Sequence, residues 1–161
     1  MPFSLSKPFQ HFYQLPAKEG GREFVIGDIH GHLKTLEALL DKIALTKSDR
    51  LILLGDYINR GPRNAGVLNL ILKLLAKGYE VYPLRGNHEQ MALDSHKGRL
   101  RDRELGRKSP PSSTKKKGLV GADKLLFPIY LDLFKRLPFY YETPTHFFVH
   151  AGFDFKQDAP F

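Results

Sequence analysis

The sequence predicts an α/β domain with a partly parallel sheet. Short apolar runs that read as strands alternate with stretches of helical periodicity, and each of the first three runs closes on a glycine turn. The length of 161 residues, 42% of them apolar, suits a single domain with one buried core.

Residues 1–22 alternate proline with aromatics and end in Glu19-Gly20-Gly21-Arg22, which reads as an arm laid over the surface without a periodic element. The domain itself is expected over 23–161. Glu23-Phe24-Val25-Ile26 is its first strand and runs into Gly27. After Gly31, Leu33, Leu36, Leu39, Leu40 and Ile43 recur at three- and four-residue intervals, so an amphipathic helix follows. Leu51-Ile52-Leu53-Leu54 is a short buried strand closed by Gly55. A second helix spans roughly Arg63 to Lys77, with Gly78 as its stop. Tyr79 to Leu84 is the third strand, closed by Gly86 before a helix that starts near Asn87. Between Lys97 and Lys117 the pattern disappears into Pro110-Pro111, Ser112-Ser113 and three consecutive lysines, which predicts a mobile, basic insertion. Regular structure resumes with helical spacing over Leu125 to Leu137, despite Pro128. Two aromatic strands follow, 139–142 and 146–149, joined by a short turn at Pro144 as an antiparallel hairpin.

Composition removes several kinds of chemistry. With no cysteine there are no disulfides, thiolate metal sites or cysteine nucleophiles, so any metal must be held by histidine and oxygen ligands. No run approaches 18 apolar residues, and the first 22 residues are interrupted by proline and lysine, so neither a membrane span nor a secretory signal is expected. A cytoplasmic protein without a membrane partner is the resulting expectation. The net charge of +8 points to an anionic partner, but its placement is uneven. Residues 97–117 hold nine basic and two acidic residues, while the other 140 hold 16 basic and 15 acidic. The basicity thus belongs to the insertion, which is expected near the mouth of a phosphate site. It contains no aromatics for base stacking, so nucleic acid is not expected as a partner.

The strand ends carry the metal-competent residues. Gly27-Asp28-Ile29-His30-Gly31, Gly55-Asp56-Tyr57-Ile58-Asn59-Arg60-Gly61, Gly86-Asn87-His88-Glu89 and His150-Ala151-Gly152 each follow a strand. Carboxylate, imidazole and amide oxygen together suit Mn²⁺, Fe or Zn²⁺ better than Mg²⁺ or Ca²⁺. Two ions close together need a shared ligand, and a carboxylate can bridge, which makes Asp56 the best bridging candidate. Taken singly, each residue has a plainer reading: Asp28 as a helix cap, Asp56 and Asn87 as turn formers, Arg60 as a solvated turn residue. His11, His32 and His96 stand outside any constellation and are expected at the surface.

In order over residues 27–152, these strings resemble the GDxHG, GDxxDRG, GNHE and HAG signatures of the calcineurin-like metallophosphoesterases, in the phosphoprotein phosphatase branch of bacterial type. The resemblance implies an αββα sandwich with a mixed sheet, and two divalent metal ions, Mn²⁺ foremost. Asp28 and His30 would hold the first ion, Asp56 would bridge, and Asn87 and His150 would hold the second. His88 would be the general acid, with Arg60 and Arg85 facing the phosphate. The implied reaction is hydrolysis of phosphate monoesters, phosphoserine or phosphothreonine in proteins, by in-line attack of a dimetal-bound hydroxide.

Two departures keep alternatives open. Asn59 stands where the family usually has the Asp that pairs with the catalytic histidine, and the diadenosine tetraphosphatase branch also lacks an Asp there, so a dinucleoside polyphosphate hydrolase is the alternative. Glu89 favours the protein phosphatases. The family's further metal-binding His and phosphate-binding Arg, and the rest of its second sheet, lie past the HAG strand, so a truncated, catalytically impaired relative that holds the second ion weakly is a third expectation.

Overall fold

The structure, a computed structural model, describes residues 9–108 and 118–152. Its elements run in the order β1 (Phe12–Gln14), β2 (Glu23–Ile26), α1 (Leu33–Lys42), β3 (Arg50–Leu53), α2 (Asn64–Ala76), β4 (Glu80–Pro83), α3 (Asn87–Glu104), α4 (Pro128–Arg136), β5 (Tyr140–Glu142) and β6 (Phe147–Val149). They form two three-stranded sheets, β2-β3-β4 and β1-β5-β6.

The first sheet is the predicted parallel one. All four residues of β3 are buried, which explains its unbroken Leu51-Ile52-Leu53 run: a central parallel strand has no solvent face. Ile26, Leu53 and Pro83 stand side by side in the register, so the three strands end level and their glycine turns open at one edge. Leu36 and Leu40 of α1 and Val67, Leu68 and Ile71 of α2 are buried, which covers the apolar stripes read from the sequence. Gly78 stops α2 with φ +77°, a conformation that costs glycine little.

The second sheet is mixed. β5 and β6 form the expected antiparallel hairpin, and β5 also pairs with β1 in parallel. Tyr141 ties the two sheets together. Its ring is fully buried and meets Tyr82 of β4 edge-on with centroids 5.5 Å apart, and its hydroxyl donates to the Pro83 carbonyl across 3.3 Å. Burial of such a ring is worth about 1.5–3 kcal/mol, and its hydroxyl needs the partner it finds.

Four expectations are corrected. The arm is not without regular structure, because Phe12–Gln14 is a strand whose Tyr13 is buried beside Tyr141. Three residues are too few to show a period. The expected patternless segment from Lys97 is helical as far as Glu104, because Lys, Arg, Leu and Glu favour helix and the first proline comes only at Pro110. Helix α3 ends at Gly106, whose φ is +65°. It rises about 15 Å from Asn87 to Lys97 and about 26 Å to Glu104 at 1.5 Å per residue, so this basic stretch points away from the strand ends. The rest of the predicted insertion, 109–117, lies outside the described residues, as do 1–8 of the arm and 153–161. The helix expected over Leu125 to Leu137 starts only at Pro128, the first residue of α4, as suits a residue with no N–H to satisfy. His96 is buried, with its Nδ1 accepting the Leu126 N–H at 3.2 Å.

Candidate metal centre

The level ends of β2, β3 and β4 bring three loops to one point, where the segment after β6 of the other sheet joins them. The loop after β2 is stitched to the loop after β3 by main-chain bonds: Ile29 and His30 donate to the Asp56 carbonyl, Gly31 to Tyr57, and Gly61 back to His30. His30, Asp56, Asn59 and Arg60 all take positive φ in these two loops, at 47°, 53°, 70° and 62°. Non-glycine residues in that region each store about 1–3 kcal/mol, which the dense bonding between the loops offsets. The glycine of the third loop is required by contact. A Cβ on Gly86 would run into the main-chain N–H and Oδ1 of Asp56.

Asp56 lies at the middle of the assembled side chains. Its Oδ2 is 3.7 Å from Nε2 of both His30 and His88, and its Oδ1 is 3.5 Å from Nε2 of His150. Asp28 reaches His30 Nε2 with one oxygen at 3.4 Å and His150 Nδ1 with the other at 4.0 Å. Asn87 places Oδ1 2.8 Å from His150 Nε2. Two groups of potential ligand atoms result, His30-Asp56-His88 and Asp28-Asp56-His150, with Asp56 common to both.

Hydrogen bonds orient both imidazoles, and in His30 they also select the tautomer. His30 Nδ1 is 3.0 Å from the Ile58 carbonyl and His150 Nδ1 is 2.9 Å from the Leu54 carbonyl. A carbonyl only accepts, so in His30 Nδ1 carries the proton and Nε2 is left with its lone pair, as in metal-ligating histidines, whereas His150 has an oxygen acceptor at each nitrogen, the Leu54 carbonyl and Asn87 Oδ1. His30 Nε2 is buried and has no hydrogen-bond partner among the described residues. An acceptor left unsatisfied in this way costs free energy unless a cation meets it. Spacings near 3–3.5 Å are also those of donor atoms that share an ion at about 2.0–2.2 Å. The residues therefore fit divalent metal ions.

The family model described as calcineurin-like phosphoesterase matches residues 22–160. The chain belongs to the calcineurin-like phosphoesterase family. It is 35% identical over 92 residues to serine/threonine-protein phosphatase 1 of Salmonella typhimurium, covering 56% of this chain and 40% of that protein. It is 31% identical over 134 residues to the symmetrical bis(5'-nucleosyl)-tetraphosphatase of Psychromonas ingrahamii, covering 80% of this chain and 43% of that protein. Among solved structures, one assigned as a diadenosine tetraphosphatase superposes with a TM-score of 0.65 at 26% identity, over 92% of this chain and 58% of the other. A cold-active protein-tyrosine phosphatase from a Shewanella species shares the fold with a TM-score of 0.61 at 21% identity, over 94% of this chain and 47% of the other. This chain thus spans less than half the length of those two curated relatives.

The other predicted site residues of this calcineurin-like phosphoesterase are placed unequally. Asn59 is buried, and its Nδ2 lies 2.6 Å from His88 Nδ1. Arg60 is exposed in the same loop. Arg85 is not presented to the ligand groups: its guanidinium lies between the rings of Phe9 and Phe139, 4.9 Å from each, and donates to Gln90 Oε1 and the Lys135 carbonyl. Its burial pulls the guanidinium pKa down. The residue lines a recess of about 300 Å³ with Asn87, Phe139 and His150, so it borders the centre while facing elsewhere. Asp28 caps no helix, since α1 has His32 at its N-cap without a side-chain bond.

Sequence reasoning missed the part played by Glu89. Fully buried, it accepts the main-chain N–H of Asp56, Tyr57 and Gly86 at 2.9, 2.9 and 3.1 Å. Burial first, and then the Asp56 charge, push its carboxyl up to about 7, against the pull of those three N–H groups. Its only signal was its position three residues past the N-cap of α3, where a glutamate reaches back to the cap N–H.

Proposed function

We propose that this chain is a metal-dependent phosphoesterase that hydrolyses phosphate monoesters, with phosphoserine or phosphothreonine in proteins as the substrate class. The single observation that carries the reading is the Asp56 carboxylate set between two groups of ligand atoms. Asp28 and His30 would hold one ion and Asn87 and His150 the other, with the Asp56 carboxylate available to both. Imidazole among the ligands favours Mn²⁺ over Mg²⁺. When bound, such a pair supplies Lewis-acid charge for the phosphoryl oxygens and an activated water.

The chain's own groups do the rest. Asn59 lies against His88 Nδ1 and turns the ring so that Nε2 is on the side of Asp56, from where the proton of an imidazolium can pass to a departing alkoxide oxygen and leave a neutral imidazole. Arg60, exposed beside this pair in the chain, is the cation available to bind a phosphate from the solvent side. Arg85 borders the site and shapes the recess next to His150.

Glu89 and the similarity to serine/threonine phosphatases support a phosphoprotein substrate. Asn59 and the similarity to symmetrical tetraphosphatases support a second reading, hydrolysis of dinucleoside polyphosphates. Parallel turnover assays with Mn²⁺ on a phosphothreonine peptide and on diadenosine tetraphosphate decide between them. The proposal expects kcat/KM at least tenfold higher on the peptide, and the reverse ranking overturns it.

A further inference from the structure

We infer that Glu89 is the positioning residue for the shared carboxylate: by latching the loop after β3 to the loop after β4, it holds Asp56 in the backbone conformation from which one side chain serves both ligand groups. This inference rests on the metal-binding reading of Asp56 given above.

Asp56 stands at φ +53°, a region disfavoured for a residue with a Cβ, so something must hold it there. Its carbonyl is bonded to Ile29 and His30 of the first loop. Its N–H points the other way and is accepted by Glu89 Oε2, which also accepts the N–H of Gly86. The other oxygen, Oε1, accepts the N–H of Tyr57. One carboxylate therefore fixes both peptide N–H groups that flank the Asp56 Cα and anchors them to the start of α3. Helix α3 returns the constraint, because the N–H of His88 donates to Asp56 Oδ1 across 2.9 Å and so orients the side chain as well as the backbone. Tyr57 adds a third tie from below, its hydroxyl lying 2.8 Å from the Leu84 carbonyl and 3.1 Å from that of Leu53. Glu89, Tyr57 and Leu84 are each fully buried, so the carboxylate holds these N–H groups away from solvent. Glu89 offers no atom to the ligand groups. Its effect on the metals passes through the loops that it holds, by way of Asp56 above all.

Three proteins test this: the wild type, Glu89→Gln and Glu89→Ala, each checked for folding by circular dichroism before use. Mn²⁺ binding is followed by calorimetric titration, and amide hydrogen exchange is measured on the metal-free proteins. The expected result is at least a tenfold loss of Mn²⁺ affinity in Glu89→Ala and faster exchange at Asp56, Tyr57 and Gly86. Glu89→Gln should lie between it and the wild type, because its carbonyl oxygen still accepts one or two of the N–H bonds. Equal losses in the two variants with unchanged exchange would assign the effect to charge alone and overturn the inference. Unchanged Mn²⁺ affinity in a folded Glu89→Ala would overturn it too. A wild type that binds no Mn²⁺ would instead refute the metal-binding reading, and the exchange data would still report whether Glu89 holds the loops. Where Glu89→Ala does not fold, Glu89→Gln alone decides, by its exchange at the three amides and its Mn²⁺ affinity.

Discussion

Asn59 approaches His88 with an amide nitrogen, Nδ2, 2.6 Å from Nδ1. The contact orients the histidine ring but brings no negative charge, and the Asn59 Oδ1 is left buried without a partner among the described residues. A carboxylate in the same place would accept the Nδ1 proton and favour the imidazolium. We therefore expect Asn59→Asp to raise kcat by roughly 10- to 100-fold, within the span of general acid catalysis. The basic limb of the pH–rate profile should move to higher pH, because the protonated histidine persists further. A pH–rate comparison of the two proteins checks both points, and an unmoved basic limb refutes the explanation.

Acid stability should depend on Asp49. The Arg22 guanidinium beside it, and after that the Thr46 N–H, hold its carboxyl well below the usual carboxylate range. A carboxyl depressed in the folded state stabilises above its unfolded pKa of about 3.9 and loses that contribution as pH falls below it. Asp49→Asn should accordingly melt at a lower temperature than the wild type at pH 7. The gap should close as the pH is taken from about 4 toward 2, which thermal melts at a series of pH values will show.

The basic half of α3 should matter little to a small substrate. Arg101 and Arg103 stand about 20 Å or more along the helix from Asn87, beyond the Debye length of about 8 Å at physiological salt. Arg101→Ala with Arg103→Ala should leave kcat/KM on p-nitrophenyl phosphate within about twofold at that salt. A larger fall would return this stretch to the mouth of the site, where the charge pattern alone had put it.

What could be read from the sequence follows from where the signals are local. Gly27, Gly55 and Gly86 close strands that each end within a few residues of a metal-competent side chain, so the parallel sheet and the convergence of Asp28, His30, Asp56 and Asn87 were both legible. His150 follows the last strand in the same way. β1 was not legible, because its partner Tyr140–Glu142 lies at the far end of the chain and the pairing leaves no local trace. The length of α3 was hidden by its composition, since charged residues surround it and no apolar stripe marks its second half. The aromatic clamp on Arg85 joins the arm to β5's approach, and the Glu89 latch joins two loops. Contacts across loops of this kind appear only once the chain is folded.

The claim that Asp56 is shared by two ions is tested most directly by counting Mn²⁺ bound per chain in the wild type and in Asp56→Ala, by titration and by electron paramagnetic resonance. The account predicts two ions on the wild type at saturating Mn²⁺, with the spectrum of a coupled pair, and the loss of tight binding at both positions in a folded Asp56→Ala. Retention of either ion at wild-type affinity in that variant, or two ions with no magnetic coupling in the wild type, would contradict it.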